Sequence, residues 1–125
     1  MNQRDASSEI TPDLMLRAYA AGMFPMAESK TTETVFWICP RERGILPLDN
    51  FHVSRSLRKT VRQNRFEIRC NTAFEETLTE CSRRTPERSN TWINASIEQC
   101  VNELHARGFA HSIECWLDDK LVGGL

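Results

Sequence analysis

The sequence lacks any apolar run long enough to cross a bilayer, and its polar start, Met1 to Ile10 with Arg4, Asp5 and Glu9, lacks the apolar centre of a secretory signal. Both absences point to a cytoplasmic protein that makes no use of the membrane. There is no CxxC pair. The five cysteines, Cys39, Cys70, Cys81, Cys100 and Cys115, are odd in number and each gap exceeds ten residues, so they read as reduced thiols, mostly small apolar fillers. A ligand set drawn from Cys100, His105, His111 and Cys115 matches no common metal spacing, and no metal is expected. Glycine is scarce, and Gly123-Gly124 lacks the spacing of a phosphate-cradling loop. No Ser-His-Asp or Cys-His arrangement assembles from spacing, and no repeat or low-complexity tract is visible.

What is present suits a folded globular unit, with 125 residues, 40% hydrophobic and 26% charged. Thr11 as a cap, Pro12 at the first helical position and Gly22 as a stop predict a helix with Leu14, Ala18 and Ala21 on one face. Met23 to Met26 leaves it as an apolar exit whose side chains must turn inward or line a cleft. Thr34 to Ile38 and Gly44 to Leu48 read as short or edge strands, the second with Pro47 inside it. Ser54 caps a helix to about Asn64, Phe66 to Cys70 alternates as a strand, and Thr72 with Glu75 forms a capping box for a helix carrying Phe74, Leu78 and Cys81. After a polar surface loop, Ser82 to Asn90, Asn94 caps a helix with Ile97, Val101 and Leu104 inward and Gly108 as terminator. Ala110 to Leu117 then turns at Asp118-Asp119 into Lys120 to Leu125. The pattern is α+β. Its last stretch is apolar with no polar tail, which reads as a chain cut short.

The helix from Ser54 is the strongest chemical feature. At about 100° per residue, Arg55, Arg58, Lys59, Arg62 and Arg65 share one face, with Leu57 and Val61 opposite and inward. From Ser54 to Arg69 six Arg or Lys face one Glu, a charge of +5, leaving −6 on the rest of a chain of net charge −1. A cationic helix on an otherwise acidic protein is the footprint of phosphate binding, although a solvated helix face explains the same run. Trp37, Trp92 and Trp116, with Phe24 and Phe36, could line a pocket or simply pack. Trp92 stands apart because it precedes a helix cap instead of lying on a periodic apolar face. His105 and His111 read equally as structural histidines or titrating groups, and Glu114 shares a strand face with Ser112 and Trp116.

In order, Leu16 to Pro25 (LRAYAAGMFP), His52 to Lys59 (HVSRSLRK), Thr91-Trp92-Ile93, Leu104 to Glu114 (LHARGFAHSIE) and Leu121 to Gly124 (LVGG) resemble the leucyl/phenylalanyl-tRNA-protein transferase family. The resemblance runs from about Thr11 to Leu125. It implies an aminoacyltransferase that moves leucine, phenylalanine or, less readily, methionine from charged tRNA to the N-terminal Lys or Arg of an acceptor protein, marking it for N-end rule degradation. It also implies a monomer needing no metal or organic cofactor. In fold it implies a small amino-terminal α+β domain, residues 1–50, followed by the beginning of an acetyltransferase-like (GNAT-like) domain, residues 51–125, incomplete at the carboxyl end. By position, Arg55, Arg58, Lys59, Arg62 and Arg65 are tRNA-binding, while Trp92 and Met26 belong to the aminoacyl-adenosine pocket. Catalytic residues are expected beyond Leu125, so this chain by itself is expected to be inactive.

Three departures from the family are legible. Met26 stands where some relatives have a pocket tryptophan, Val101 where relatives often have Tyr, and Gln63 where some have a second consecutive basic residue. Three other readings compete: a non-catalytic tRNA-binding module, an acyl-CoA acetyltransferase fragment, and a degenerate gene product with no function. The second has only fold analogy behind it, since no glycine-rich pyrophosphate loop follows a strand.

Overall fold

The structure, a computed structural model, describes residues 5–7 and 9–125. In chain order the elements are β1 (Asp5–Ser7), α1 (Pro12–Ala20), β2 (Phe24–Ala27), β3 (Val35–Ile38), α2 (Arg55–Arg62), β4 (Glu67–Cys70), α3 (Phe74–Ser82), α4 (Ala95–Ala106), β5 (Ile113–Leu117) and β6 (Lys120–Gly124). The class is α+β. Two antiparallel three-stranded sheets form, in the orders β1-β3-β2 and β4-β5-β6.

Local hydrogen bonds start three of the helices where the sequence predicts. Thr11 Oγ1 accepts from Leu14 N at 3.2 Å, Ser54 Oγ from Leu57 N at 3.2 Å, and Asn94 Oδ1 from Ile97 N at 3.0 Å, each satisfying an amide that has no partner within its helix. Gly22 and Gly108, both with φ near +80°, end α1 and α4, a backbone state in which a Cβ is strained. The β5–β6 hairpin turns through Asp118 and Asp119, both at positive φ as its two-residue connection requires.

Four expectations are corrected. The inward face of α1 is Met15 and Ala18, with Ala21 exposed, because α1 packs through that stripe onto α4. Gly44 to Leu48 is not a strand; Ile45, Leu46 and Leu48 are exposed, and Pro47 cannot donate to a ladder. Met23 to Met26 turns inward as expected, with Met23 packed on the core and Pro25 buried, and it largely forms β2, where Pro25 is tolerated because its position faces the outer edge of the sheet, as Ala27 does in donating to Trp92 O at 2.9 Å. The Thr72–Glu75 capping box does not form. Helix α3 begins at Phe74 with no side-chain cap, because Thr72 turns its hydroxyl to Glu114. Only Cys100 of the five free cysteines is a buried filler; Cys39 and Cys70 are exposed.

One core joins both halves of the sequence. Met15, Ala18, Ala27, Val35 and Trp37 pack with Ile93, Ile97, Cys100 and Leu104. Met15 and Ile97 are at most 1% exposed, and burying side chains of this size stabilises by about 1.5–3 kcal/mol each. Asn94 couples the two stretches directly, since its Nδ2 donates to Thr32 O at 2.8 Å while its Oδ1 caps α4. Asn94→Ala removes both bonds and leaves the buried Ile97 amide and the part-buried Thr32 carbonyl without them, so it should destabilise by about 2 kcal/mol. A thermal melt unchanged from the parent protein would contradict this account of the join.

Candidate functional site

Helix α2 is short and carries its charge along its length. Arg55, Arg58, Lys59 and Arg62, with Gln63, line one groove of about 420 Å³, and none of the four cations has a carboxylate partner among the described residues. The helix ends at Arg62 rather than near Asn64, which adopts a positive φ of 51°, so Arg65 lies beyond the helix and outside the groove. Expected to point inward, Leu57 and Val61 are instead 48% and 67% exposed. The helix buries no residue, and no other helix or strand makes more than marginal contact with it. Its positive edge therefore stands clear in solvent with its field uncompensated. Arg69 differs. It pairs with Glu67 at 2.7 Å and Asp119 at 2.9 Å, and its guanidinium lies 4.5 Å from the Trp116 ring centroid.

The second predicted pair also meets. Trp92 and Met26, 66 positions apart, line one cavity of about 290 Å³ with Ala27, Glu28, Cys81, Arg88, Asn90 and Thr91. The segment around Trp92 is tied to the outer edge of β2. Ala27 N donates to Trp92 O at 2.9 Å, and Asn90 Nδ2 donates to Glu28 O at 2.6 Å. Thr91 and Ile93, 7% and 5% exposed, turn inward on either side, which forces the intervening Trp92 ring outward to 43% exposure. A tryptophan held open beside a methionine is a surface for a flat or apolar ligand. Trp37, by contrast, is a core residue, and Trp116 packs under Arg69.

Glu114, His105, His111 and Cys100 have structural surroundings. Glu114 is fully buried and accepts from the amides of Thr72 and Ala73, the hydroxyls of Thr72 and Ser112, and Trp116 Nε1. Burial alone would raise its pKa, but hydrogen bonds from Ser112, Thr72, the Ala73 amide and Trp116 outweigh that and hold it at about 2. His105 lies flat against Phe74 at 3.9 Å between ring centroids, with Nδ1 2.8 Å from Ala110 O. His111 Nδ1 lies 3.1 Å from Asn71 Nδ2. Burial, with Glu103 nearby, raises the pKa of the Cys100 thiol, which keeps it protonated and unreactive. No group of three His, Cys, Asp or Glu among the described residues is arranged to hold a metal ion, and no described helix is long and apolar enough to cross a membrane. A wider depression, about 880 Å³ and lined by residues 71–76, Thr79, Asn102 and His105, contains none of the α2 cations and neither Trp92 nor Met26.

Residues 45–125 match the family model described as leucyl/phenylalanyl-tRNA protein transferase, and residues 8–41 match that of its N-terminal domain. The chain belongs to this family. It is 54% identical over 116 residues to a leucyl/phenylalanyl-tRNA–protein transferase of Rhizorhabdus wittichii, covering 93% of this chain and 47% of that protein. Relatives of the same name from Paramagnetospirillum magneticum and Rhodospirillum rubrum are 52% and 51% identical, again over 93% of this chain and over 56% and 54% of their own lengths. The chain thus spans about half the length of the curated relatives it matches.

Against this transferase family, the sequence alone passed over two residues of the Trp92 cavity, Arg88 and Asn90, as parts of a polar loop. The nearest signal was position: Asn90 immediately precedes the Thr91-Trp92-Ile93 segment. Nothing local marked Arg88.

Proposed function

We propose that this chain is the tRNA-handling part of an enzyme that transfers leucine or phenylalanine, and less readily methionine, from aminoacyl-tRNA to the N-terminal Lys or Arg of an acceptor protein. In this reading the α2 groove holds backbone phosphates of the tRNA, and Trp92 with Met26 receives its aminoacyl-adenosine end. The observation that carries it is the meeting of Trp92 and Met26, 66 positions apart, in one cavity beside the apolar core, with the Trp92 ring left open to a ligand. Phosphate contacts supply affinity without sequence reading, and the cavity supplies selection for the end that carries the amino acid.

The chemistry asks little beyond placement. The donor ester is already activated, so the site must hold the acyl group, admit a neutral amine and stabilise the oxyanion of the tetrahedral intermediate, with no step that needs a metal or organic cofactor. We assign the oxyanion-stabilising groups to the part of the relatives' length that this chain does not cover. The sheet β4-β5-β6 with α3 and α4 is proposed as the opening of an acetyltransferase-like domain, following a small domain at residues 1–50. The enzyme works as a cytoplasmic monomer in N-end rule degradation.

The test is transfer itself. The full-length protein carrying these residues, mixed with leucyl-tRNA and an Arg-initiated peptide, should yield the Leu-Arg product by mass, while the 125-residue chain yields none. Trp92→Ala should lower kcat/KM roughly 10- to 100-fold, the range for losing one base–aromatic stack. Tight tRNA binding without product would favour a non-catalytic tRNA-binding module instead.

A further inference from the structure

The loop after α3 holds Arg83, Arg84 and Arg88, and the first and last are treated differently. Arg83 Nε pairs with Glu80 at 2.9 Å. Arg88 pairs with no carboxylate among the described residues; it donates from Nε to Arg83 O at 3.2 Å, and from Nη2 to Arg83 O at 2.6 Å and Glu80 O at 3.2 Å. These carbonyls sit at the C-terminal end of α3, where a cation is favoured; Glu80 O also accepts from Arg83 N at 3.3 Å, the last backbone bond of the helix. The backbone of Arg88 is also fixed. Thr85 N donates to Arg88 O at 2.8 Å, and Arg88 N donates to Thr85 O at 3.0 Å and to Thr85 Oγ1 at 3.1 Å.

The guanidinium is thus anchored through Nε and Nη2 to neutral acceptors, so its charge stays whole, and Nη1 has no partner among the described residues. Its place in the fold is specific. Arg88 and Cys81 line both the Trp92–Met26 cavity and a neighbouring cavity of about 500 Å³ that runs to Leu121–Gly124 on β6. The two cavities meet at this side chain. A helix cap alone explains the bonds from Nε and Nη2, but it does not require a charged edge left open where two cavities join.

We propose that Arg88 is a phosphate-binding residue, taking through its Nη1 edge the phosphodiester that precedes the terminal nucleoside of the aminoacylated strand when that nucleoside lies against Trp92. The proposal rests on the aminoacyl-tRNA reading above and adds a second electropositive contact, separate from α2, next to the acyl group. An arginine suits the role because its planar fork bonds phosphate and carbonyls at once, and anchoring it beforehand removes most of the ordering cost on binding.

Two donors test it in the full-length protein: phenylalanyl-adenosine, which has no phosphate, and the same amino acid on a CCA trinucleotide, which has two phosphodiesters. Arg88→Gln should raise KM about tenfold for the trinucleotide with kcat unchanged, and leave KM for the adenosine donor within about twofold; Arg88→Lys, which keeps the charge, should fall in between. Equal losses on both donors in both variants, or no loss on either, overturn the phosphate role and reduce Arg88 to a cap of α3. A wild-type protein that transfers from neither donor overturns the broader reading instead, so the two failures are distinct.

Discussion

Glu114→Gln or Glu114→Ala should lower the melting temperature of the full-length protein by roughly 10 °C or more, the largest stability effect expected of any single substitution here. The carboxylate is fully buried, yet it is an acceptor for five donors. Its Oε1 accepts from Thr72 N at 3.0 Å, Ala73 N at 2.9 Å and Ser112 Oγ at 2.6 Å, while its Oε2 accepts from the Thr72 hydroxyl and from Trp116 Nε1 at 3.3 Å. A glutamine places an NH₂ group where one oxygen stood. A hydroxyl can reverse to accept from it, but an amide or indole N–H cannot, so at least one buried donor is left unpaired.

The same residue sets an acid-side signature. Its folded pKa of about 2 lies below the ordinary value of 4.5, so its contribution is fully present above that ordinary value and is lost as pH falls from there toward 2. Melting temperature measured from pH 7 down to pH 2.5 should fall along this limb in the wild type, and the Glu114→Gln variant should lack that part of the slope. Parallel curves would show that the carboxylate is not held ionised. The consequence reaches the site, because Glu114 fixes the turn from which α3 starts, and the far end of α3 holds Arg88.

Neutralising Arg55, Arg58, Lys59 and Arg62 together to glutamine should weaken tRNA binding by roughly 100-fold at about 0.1 M salt and make the slope of log K against log salt shallower by roughly three to four. Four unpaired cations each release about one counterion per phosphate met, which gives that slope directly. The melting temperature should hardly move, because α2 buries no side chain and little else touches it. Arg69→Gln is the matched control. It removes a cation already engaged by Glu67, Asp119 and the Trp116 ring, so it should cost stability and leave the salt slope in place. An unchanged slope in the fourfold variant would remove α2 from the account.

Most of what was legible in the sequence is local. Thr11, Ser54 and Asn94 each bond an amide three residues ahead, so the chain neighbourhood is enough to place these caps. The α2 charge face follows from helical spacing, and the Asp118-Asp119 hairpin from turn chemistry. Thr72 shows where local reasoning fails, since its capping-box pattern with Glu75 was present, but a carboxylate 42 residues away bound its hydroxyl instead. Leu57 and Val61 fail for a related reason: helical spacing gives an apolar face, but not whether any element packs on it.

The sequence by itself therefore determined the α+β class, the family, the helix starts and the uncompensated positive charge of one helix, because each depends on residues within a turn or two, or on their order along the chain. Only the tertiary structure decided that Trp92 meets Met26, that Glu114 is the buried anchor of α3, and that Arg88 stands between two cavities. Those facts join residues tens of positions apart or depend on which polar groups find partners once the core has closed, and neither is encoded by spacing.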